Sequence, residues 1–332
     1  MRVCSINFVL LVLFFTYSCK KNSSIEPVKT LHFITLEVPN NFPQMILNPE
    51  NPLSEEGVEL GRKLYYDPIL SNTGKSCSSC HFQNSSFSEL SSNSLAHINL
   101  AWHQSFLWNG SVQGTLEDAM LFEIEVFFAT NLNNLQQHPD YPAKFKAVFG
   151  TSSISSKEVA FALAQFLRTM ISSNSRFDKY LRGELMLTSA EMNGLDIFLT
   201  ERGDCFHCHS IGLLTDNNFH NTGLDDTYNS MNWGRYGVTS NVTDMGKFKT
   251  PTLRNIELTM PYMHDGRFST LEQVVEFYNS GVHVSQYVDP IMTKPGKEFG
   301  LQLSVQDKLD LVSFLKAFTD TSFINNPAFS HP

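Results

Sequence analysis

The 332-residue chain has only six cysteines, no basic run and no strand-like alternation of polar and apolar residues. Its formal net charge of −9 and the lack of a basic patch argue against a nucleic-acid partner. The one N-terminal apolar run, residues 8–15, is too short to be interpreted as a membrane-spanning helix. A composition of 42% hydrophobic and 17% charged residues is that of a globular protein. The length predicts two domains of ordinary size.

The first residues are typical of an export signal. A positive charge precedes the apolar run, and small Ser18 precedes Cys19. We therefore predict a signal peptide over residues 1–18 and a periplasmic protein. The arrangement resembles a bacterial lipoprotein signal, which implies a lipid on Cys19 as the only contact with a membrane, although residues 16–17 depart from the usual pattern. Simple secretion and an uncleaved anchor are the alternatives.

Four of the cysteines lie in two Cys-x-x-Cys-His motifs, at residues 77–81 and 205–209. In this motif the two thiols can add to the vinyl groups of a haem, and the histidine supplies an axial nitrogen to the iron. One copy alone could be half of a zinc site or a redox dithiol, whereas two copies favour two covalently bound haems. Haem attachment takes place outside the cytoplasm and so agrees with export. The predicted haem-binding residues are Cys77, Cys80, His81, Cys205, Cys208 and His209.

The remaining pattern is helical. Capping signals stand at Ser54, Thr188, Thr270 and Ser304, and residues 157–171 have apolar side chains at helical spacing. We predict an all-α fold with long irregular loops. The predicted segments are a tether and leading segment over 19–52, haem domains over 53–186 and 187–320, and a tail over 321–332.

The haem motifs lie within longer stretches, at residues 56–68, 219–223, 248–255 and 259–266. These resemble the bacterial di-haem cytochrome c peroxidase family, which includes the MauG-like proteins, over about residues 53–320. The resemblance implies two cytochrome c-like domains with a calcium ion between the haems. It also implies that the first haem meets peroxide and that the second transfers electrons.

The family places a proton-shuttling glutamate in a helix after a turn that corresponds here to residues 106–110. The best match for this glutamate is Glu123, with Glu125 second; a solvated carboxylate is the alternative role. The match requires a deletion, and Ala119 stands where the family has a glutamine. Trp108 resembles the family's tryptophan between the haems and is predicted to relay electrons, with simple packing as the alternative.

The resemblance places Tyr278 as the sixth ligand of the second haem, as in MauG-like proteins, where peroxidases of the family use a methionine. A phenolate favours ferric iron and a thioether favours ferrous iron, so Tyr278 predicts a lower-potential haem. The alternative ligands are Met260, Met263 and Met292. The calcium ligands that the family implies are Asn93, Thr259 and Pro261.

His97 and His103 are candidate distal ligands of the first haem, with a structural role as the favoured alternative. The resemblance implies an enzyme that reduces hydrogen peroxide to water with electrons from a small donor protein, a cytochrome c or a cupredoxin. A MauG-like oxidase of a protein or organic substrate and a non-catalytic di-haem electron carrier are the alternatives. The sequence leaves a homodimer open.

Overall fold

The computed structural model describes residues 30–89, 91, 93–298 and 300–332. The predicted signal peptide and Cys19 lie outside the described residues. Residues Leu31–Pro332 form one compact unit. None of the helices described has the length and apolar content needed to cross a bilayer.

The unit is rich in helices and has little strand, so the helical character predicted from the sequence is confirmed. The helices are α1 Glu55–Tyr66, α2 Leu116–Phe122, α3 Leu132–Gln137, α4 Tyr141–Phe149, α5 Ser156–Arg168, α6 Arg176–Leu181, α7 Ser189–Leu199, α8 Tyr236–Thr239, α9 Leu271–Glu276, α10 Val305–Lys316 and α11 Thr321–Ile324. Two short antiparallel ribbons, which the sequence does not indicate, pair β1 Ser105–Phe106 with β2 Val112–Gln113 and β3 Phe219–His220 with β4 Phe248–Lys249.

The predicted helix starts are confirmed at the level of hydrogen bonds. Ser54 caps α1 by accepting from the amide of Gly57. Reciprocal capping boxes begin α7 at Thr188, α9 at Thr270 and α10 at Ser304. Each box satisfies two of the amide groups that the first turn of a helix leaves without partners.

The buried apolar residues form two large clusters. One lies around α1, α2 and α5, and the other lies around α7, α9 and α10. Cys77 packs against the first cluster and Cys205 against the second, so each haem motif borders its own core. The C-terminal residues Phe323 and Phe329 join the first cluster, which shows that the chain after α10 packs back onto the N-terminal half.

A tight turn occurs in the same form in both halves of the unit. Leu107 and Met263 each have left-handed backbone, with φ values of 63° and 68°. The amide of Gly110 donates to the Leu107 carbonyl at 3.1 Å. The amide of Gly266 donates to the Met263 carbonyl at 3.2 Å in the same way. The two turns thus reverse the chain by the same local geometry.

Each turn leads into a helix that is capped by a threonine and ends in a π-helical segment. Helix α2, capped by Thr115, continues over Glu123–Phe127, and α9, capped by Thr270, continues over Phe277–Gly281. Glu123 and Tyr278 are each the eighth residue after the cap. They therefore hold corresponding positions, and π-helical segments often occur at functional sites.

The buried pair Arg254–Asp178 offers a test of what holds the second half together. The two side chains are 1% and 2% exposed and form two hydrogen bonds, of 2.9 and 3.0 Å. Replacing Arg254 by Met leaves a buried carboxylate unpaired, so we expect a loss of about 3–5 kcal/mol in the free energy of unfolding. The control is Lys157→Met, which breaks an exposed pair with Glu50 and should cost far less, because water screens that pair. Urea unfolding followed by circular dichroism measures both, and equal losses would contradict the prediction.

Candidate haem-binding active site

One cavity of about 920 Å³ brings the predicted site residues together. Its lining is mainly apolar, and its size lies near the upper end of the range for small-molecule sites. Glu125, the second choice for the proton shuttle, is exposed on the outside of its π-helical segment. The predicted residues that line the cavity are Cys77, Cys80, His81, Asn93, Trp108, Glu123, Cys205, Cys208, His209, Thr259, Pro261 and Tyr278.

The first haem motif folds as a single helical turn. The amide of His81 donates to the Cys77 carbonyl at 3.0 Å, which brings the histidine beneath the two cysteines. Nδ1 of His81 lies 2.8 Å from the carbonyl of Phe87. Since a carbonyl can only accept, this bond places the ring proton on Nδ1 and leaves Nε2 free for a metal.

The second motif repeats this geometry. The amide of His209 donates to Cys205 at 2.9 Å, and Nδ1 of His209 donates to the Leu214 carbonyl at 3.0 Å. In both motifs the accepting carbonyl belongs to a residue with left-handed backbone, Phe87 at φ 59° and Leu214 at φ 55°. Such backbone costs roughly 1–2 kcal/mol in a residue other than glycine. Its occurrence at both sites indicates that the histidine orientation is imposed by the fold.

The environment suits neutral imidazole and thiol attachment. Burial lowers the pKa of His81 to about 4 and also lowers that of His209, so both rings are neutral at pH 7. The four motif cysteines are free of disulfide bonds. Paired thiols beside a neutral imidazole with a free Nε2 fit two covalently held haems. Cys77, Cys80 and His81 would hold one and Cys205, Cys208 and His209 the other.

His97 is positioned by the first motif. Its ring stacks face to face on that of His81, with centroids 3.5 Å apart, and its Nδ1 lies 3.1 Å from the Tyr65 hydroxyl. Face-to-face rings do not point their nitrogens at a common metal ion. This packing supports the structural role for His97 over a distal ligand.

Of the two glutamates predicted for the proton shuttle, Glu123 lines the cavity and Glu125 does not. Burial alone raises the pKa of Glu123 to about 7. Burial and, secondarily, the charge of Glu123 raise the pKa of the Cys77 thiol, which shows that Glu123 belongs to the first motif's part of the cavity. Ala119 also lines this cavity, where the family has a glutamine.

Trp108 is fixed at both its ring and its backbone. Its Nε1 donates to the carbonyl of Asn93 at 3.0 Å, and its own carbonyl accepts from the amide of Lys249 at 2.8 Å. The indole is therefore held rigidly in the wall of the cavity that contains both haem motifs.

Tyr278 belongs to the second motif. Burial, and then the nearby Cys208 and Cys205, raise the pKa of its phenol. No described residue hydrogen-bonds its hydroxyl, which leaves that oxygen available to a metal. Of the alternative ligands, Met263 and Met292 line the cavity, whereas Met260 does not and is 42% exposed.

The three predicted calcium ligands line the same cavity, and the side chain of Asn93 is held in place through its nitrogen, which leaves its oxygen as the atom that would bind calcium. This nitrogen donates to the carbonyl of Met263. Calcium binding by Asn93, Thr259 and Pro261 stays a prediction.

Three further polar residues line the cavity, namely His220, Lys249 and His103, the last of which is a candidate distal ligand of the first haem. His220 lies between two carboxylates, Asp216 at 2.8 Å and Asp289 at 2.5 Å, which raise its pKa to about 12. Lys249 and His103 are buried in the cavity wall. His220 and Lys249 belong to the stretches 219–223 and 248–255, which carry the family resemblance.

Comparison with known proteins agrees with this site. The family model described as di-haem cytochrome c peroxidase matches residues 55–186. The chain is 30% identical to the methylamine utilization protein MauG of Methylorubrum extorquens over 294 residues, which cover 82% of this chain and 81% of that protein. It is 31% identical to the cytochrome c551 peroxidase of Nitrosomonas europaea over 257 residues, covering 71% of this chain and 76% of the relative.

A solved structure is also similar over nearly the whole chain. It is a MauG-like protein associated with microbial copper homeostasis, with a TM-score of 0.81 and 34% identity over 90% of this chain and 99% of that chain. The fold and the relatives define an oxidoreductase of the cytochrome c peroxidase type. The chain belongs to the di-haem cytochrome c peroxidase family, in its MauG-like branch, and this family membership implies two c-type haems.

The motif geometry predicts one haem per Cys-x-x-Cys-His. A variant with Cys205→Ser and Cys208→Ser should carry one haem, because thioether bonds need thiols. The matched variant, Cys77→Ser with Cys80→Ser, should also carry one. Intact mass and the pyridine haemochrome assay count the haems. Two covalent haems in either variant would contradict the prediction.

Proposed function

We propose that this protein reduces hydrogen peroxide to water with electrons from a small periplasmic donor such as a cytochrome c or a cupredoxin. Each peroxide takes up two electrons and two protons and gives two waters. When bound, the haems supply the redox chemistry. The observation that carries the proposal is Glu123, a carboxyl with a pKa raised to about 7 in the cavity of the first motif.

Glu123 is suited to moving the proton. A carboxylate can take a proton from one peroxide oxygen and return it to the other, which then leaves as water. A pKa near the working pH makes both transfers accessible. The apolar cavity excludes competing water and so strengthens the interaction of the carboxylate with a small polar substrate.

The electron path follows from the same cavity. Trp108, held through its Nε1 and its carbonyl, lies in the wall shared by the two motifs, where a rigid indole shortens the distance an electron must cross. The named peroxidase relatives support a peroxide substrate and a cytochrome donor.

Location and assembly complete the proposal. Export with lipid on Cys19 would keep the enzyme on the periplasmic side of a membrane, within reach of the donor. Haem domains over 53–186 and 187–320, a calcium ion at Asn93, Thr259 and Pro261, and a homodimer are parts of this hypothesis.

Substitution of Glu123 tests the proton transfer. Glu123→Gln should slow the reaction with peroxide by about 10²- to 10⁴-fold, because the amide cannot accept the proton. In the parent protein the rate should rise with pH through about 7, as the carboxyl loses its own proton. The variant should lack this step.

Glu125→Gln is the matched control, since Glu125 is exposed two residues further along the same segment. Stopped-flow absorption against pH measures both variants. If Glu125→Gln is the slower one, or if Glu123→Gln keeps the pH step, the role assigned to Glu123 is wrong.

Tyr278 favours a second candidate function, MauG-like oxidation of a protein or organic substrate. A phenolate ligand holds iron in its oxidised states, which suits storing oxidising equivalents rather than delivering electrons. The free hydroxyl of Tyr278 in the second motif's part of the cavity supports this role.

Tyr278→Met should convert the second haem to one that a mild reductant such as ascorbate reduces, because a thioether stabilises ferrous iron. Tyr287→Met is the control, since Tyr287 is not among the cavity-lining residues. Ascorbate titration followed by absorption and EPR measures the change. A parent protein whose second haem is already reduced by ascorbate would count against Tyr278 ligation and favour the peroxidase.

A further inference from the structure

Lys249 is a buried cation without an anionic partner. Lys249 is the last residue of strand β4 and lies in the cavity wall, where it is only 3% exposed. Its ammonium donates to the side-chain oxygen of Asn217 at 2.7 Å. No carboxylate of the described residues lies within ion-pair distance of it. An ammonium has three donors, and burying it unpaired is costly.

Asp216, the carboxylate whose charge acts on Lys249, is bound to other residues. Asp216 raises the pKa of Lys249 only as a more distant charge, while burial lowers it to about 8. Asp216 itself accepts from His220 at 2.8 Å and from the amide of Asn218 at 2.9 Å. Asp216 is therefore paired with His220 and forms no ion pair with Lys249 in the structure.

His103 adds a second unpartnered group. It is 9% exposed and lines the same cavity, and its Nε2 is buried without a hydrogen-bond partner among the described residues. Burial, and next the charge of Lys249, lower its pKa, so the two side chains are close enough to interact. Each buried polar atom of this kind needs a partner.

A carboxylate satisfies both residues. It accepts several hydrogen bonds and carries the charge that Lys249 lacks. Haem carries two propionate carboxylates, and a haem held by either motif in this cavity would supply such a group.

We propose that Lys249 and His103 form the binding site for a haem propionate in the cavity wall beside Trp108. The proposal rests on the haem binding of the proposed function. The amide of Lys249 donates to the Trp108 carbonyl, so the site fastens the haem edge to the residue assigned to the electron path. Lys249 and His103 are thus positioning residues for the haem and not catalytic residues.

Resonance Raman spectra of the haem-loaded protein test the site, because the propionate bending bands respond to hydrogen bonding. Lys249→Met should shift the band of one haem and lower the reduction potential of that haem, since a nearby positive charge favours electron uptake. His103→Leu should shift the band of the same haem. Both variants should keep two covalent haems by mass.

Lys247→Met is the control, because Lys247 is two residues away, does not line the cavity and already has an anionic partner in Asp244. It should leave both bands and both potentials unchanged. Unchanged propionate bands in the Lys249 and His103 variants would overturn the proposal. So would a band of the parent protein that shifts when acetate or inorganic phosphate is added, because a diffusible anion would then occupy the site. A chain that binds no haem would instead overturn the proposed function.

Discussion

The structure depends on one repeated hydrogen bond, from the Nδ1 of a motif histidine to the carbonyl of a residue with left-handed backbone. His81 uses Phe87 in this way and His209 uses Leu214. The bond sets the tautomer, and burial keeps the ring neutral, so each Nε2 is prepared for a metal. The helical turn before each histidine then places the cysteines on the same side. Left-handed backbone at the acceptor persists because the surrounding core fixes it.

The two halves share a scaffold but differ in the side chain at one corresponding position. A capped helix ends in a π-helical segment in both halves, and it presents Glu123 in one and Tyr278 in the other. A buried carboxyl with a raised pKa can exchange a proton with a substrate. A buried phenol with no hydrogen-bond partner can instead serve a metal as a hard anionic ligand. The two halves therefore present different functional groups to the cavity from one corresponding position.

Short-range patterns made much of this predictable. The haem motifs and the helix starts are local in sequence. In a capping box such as that of Thr270, the residue types and their spacing predict the hydrogen bonds directly. The burial of Glu123 and the exposure of Glu125 support the choice of Glu123. From the sequence, the two glutamates could be ranked only through the family resemblance. The packing of Phe329 onto the first core, the stacking of His97 on His81 and the isolation of Lys249 from carboxylates depend on residues distant in the chain. No local pattern carries that information.

The proposed function requires the cavity of the first motif to react with peroxide. The most direct measurement is an absorption and EPR titration of the purified ferric protein with hydrogen peroxide, as isolated and after mild reduction. We expect one high-spin haem whose spectrum changes rapidly and completely with peroxide. Two low-spin haems that do not respond to peroxide in either state would contradict it.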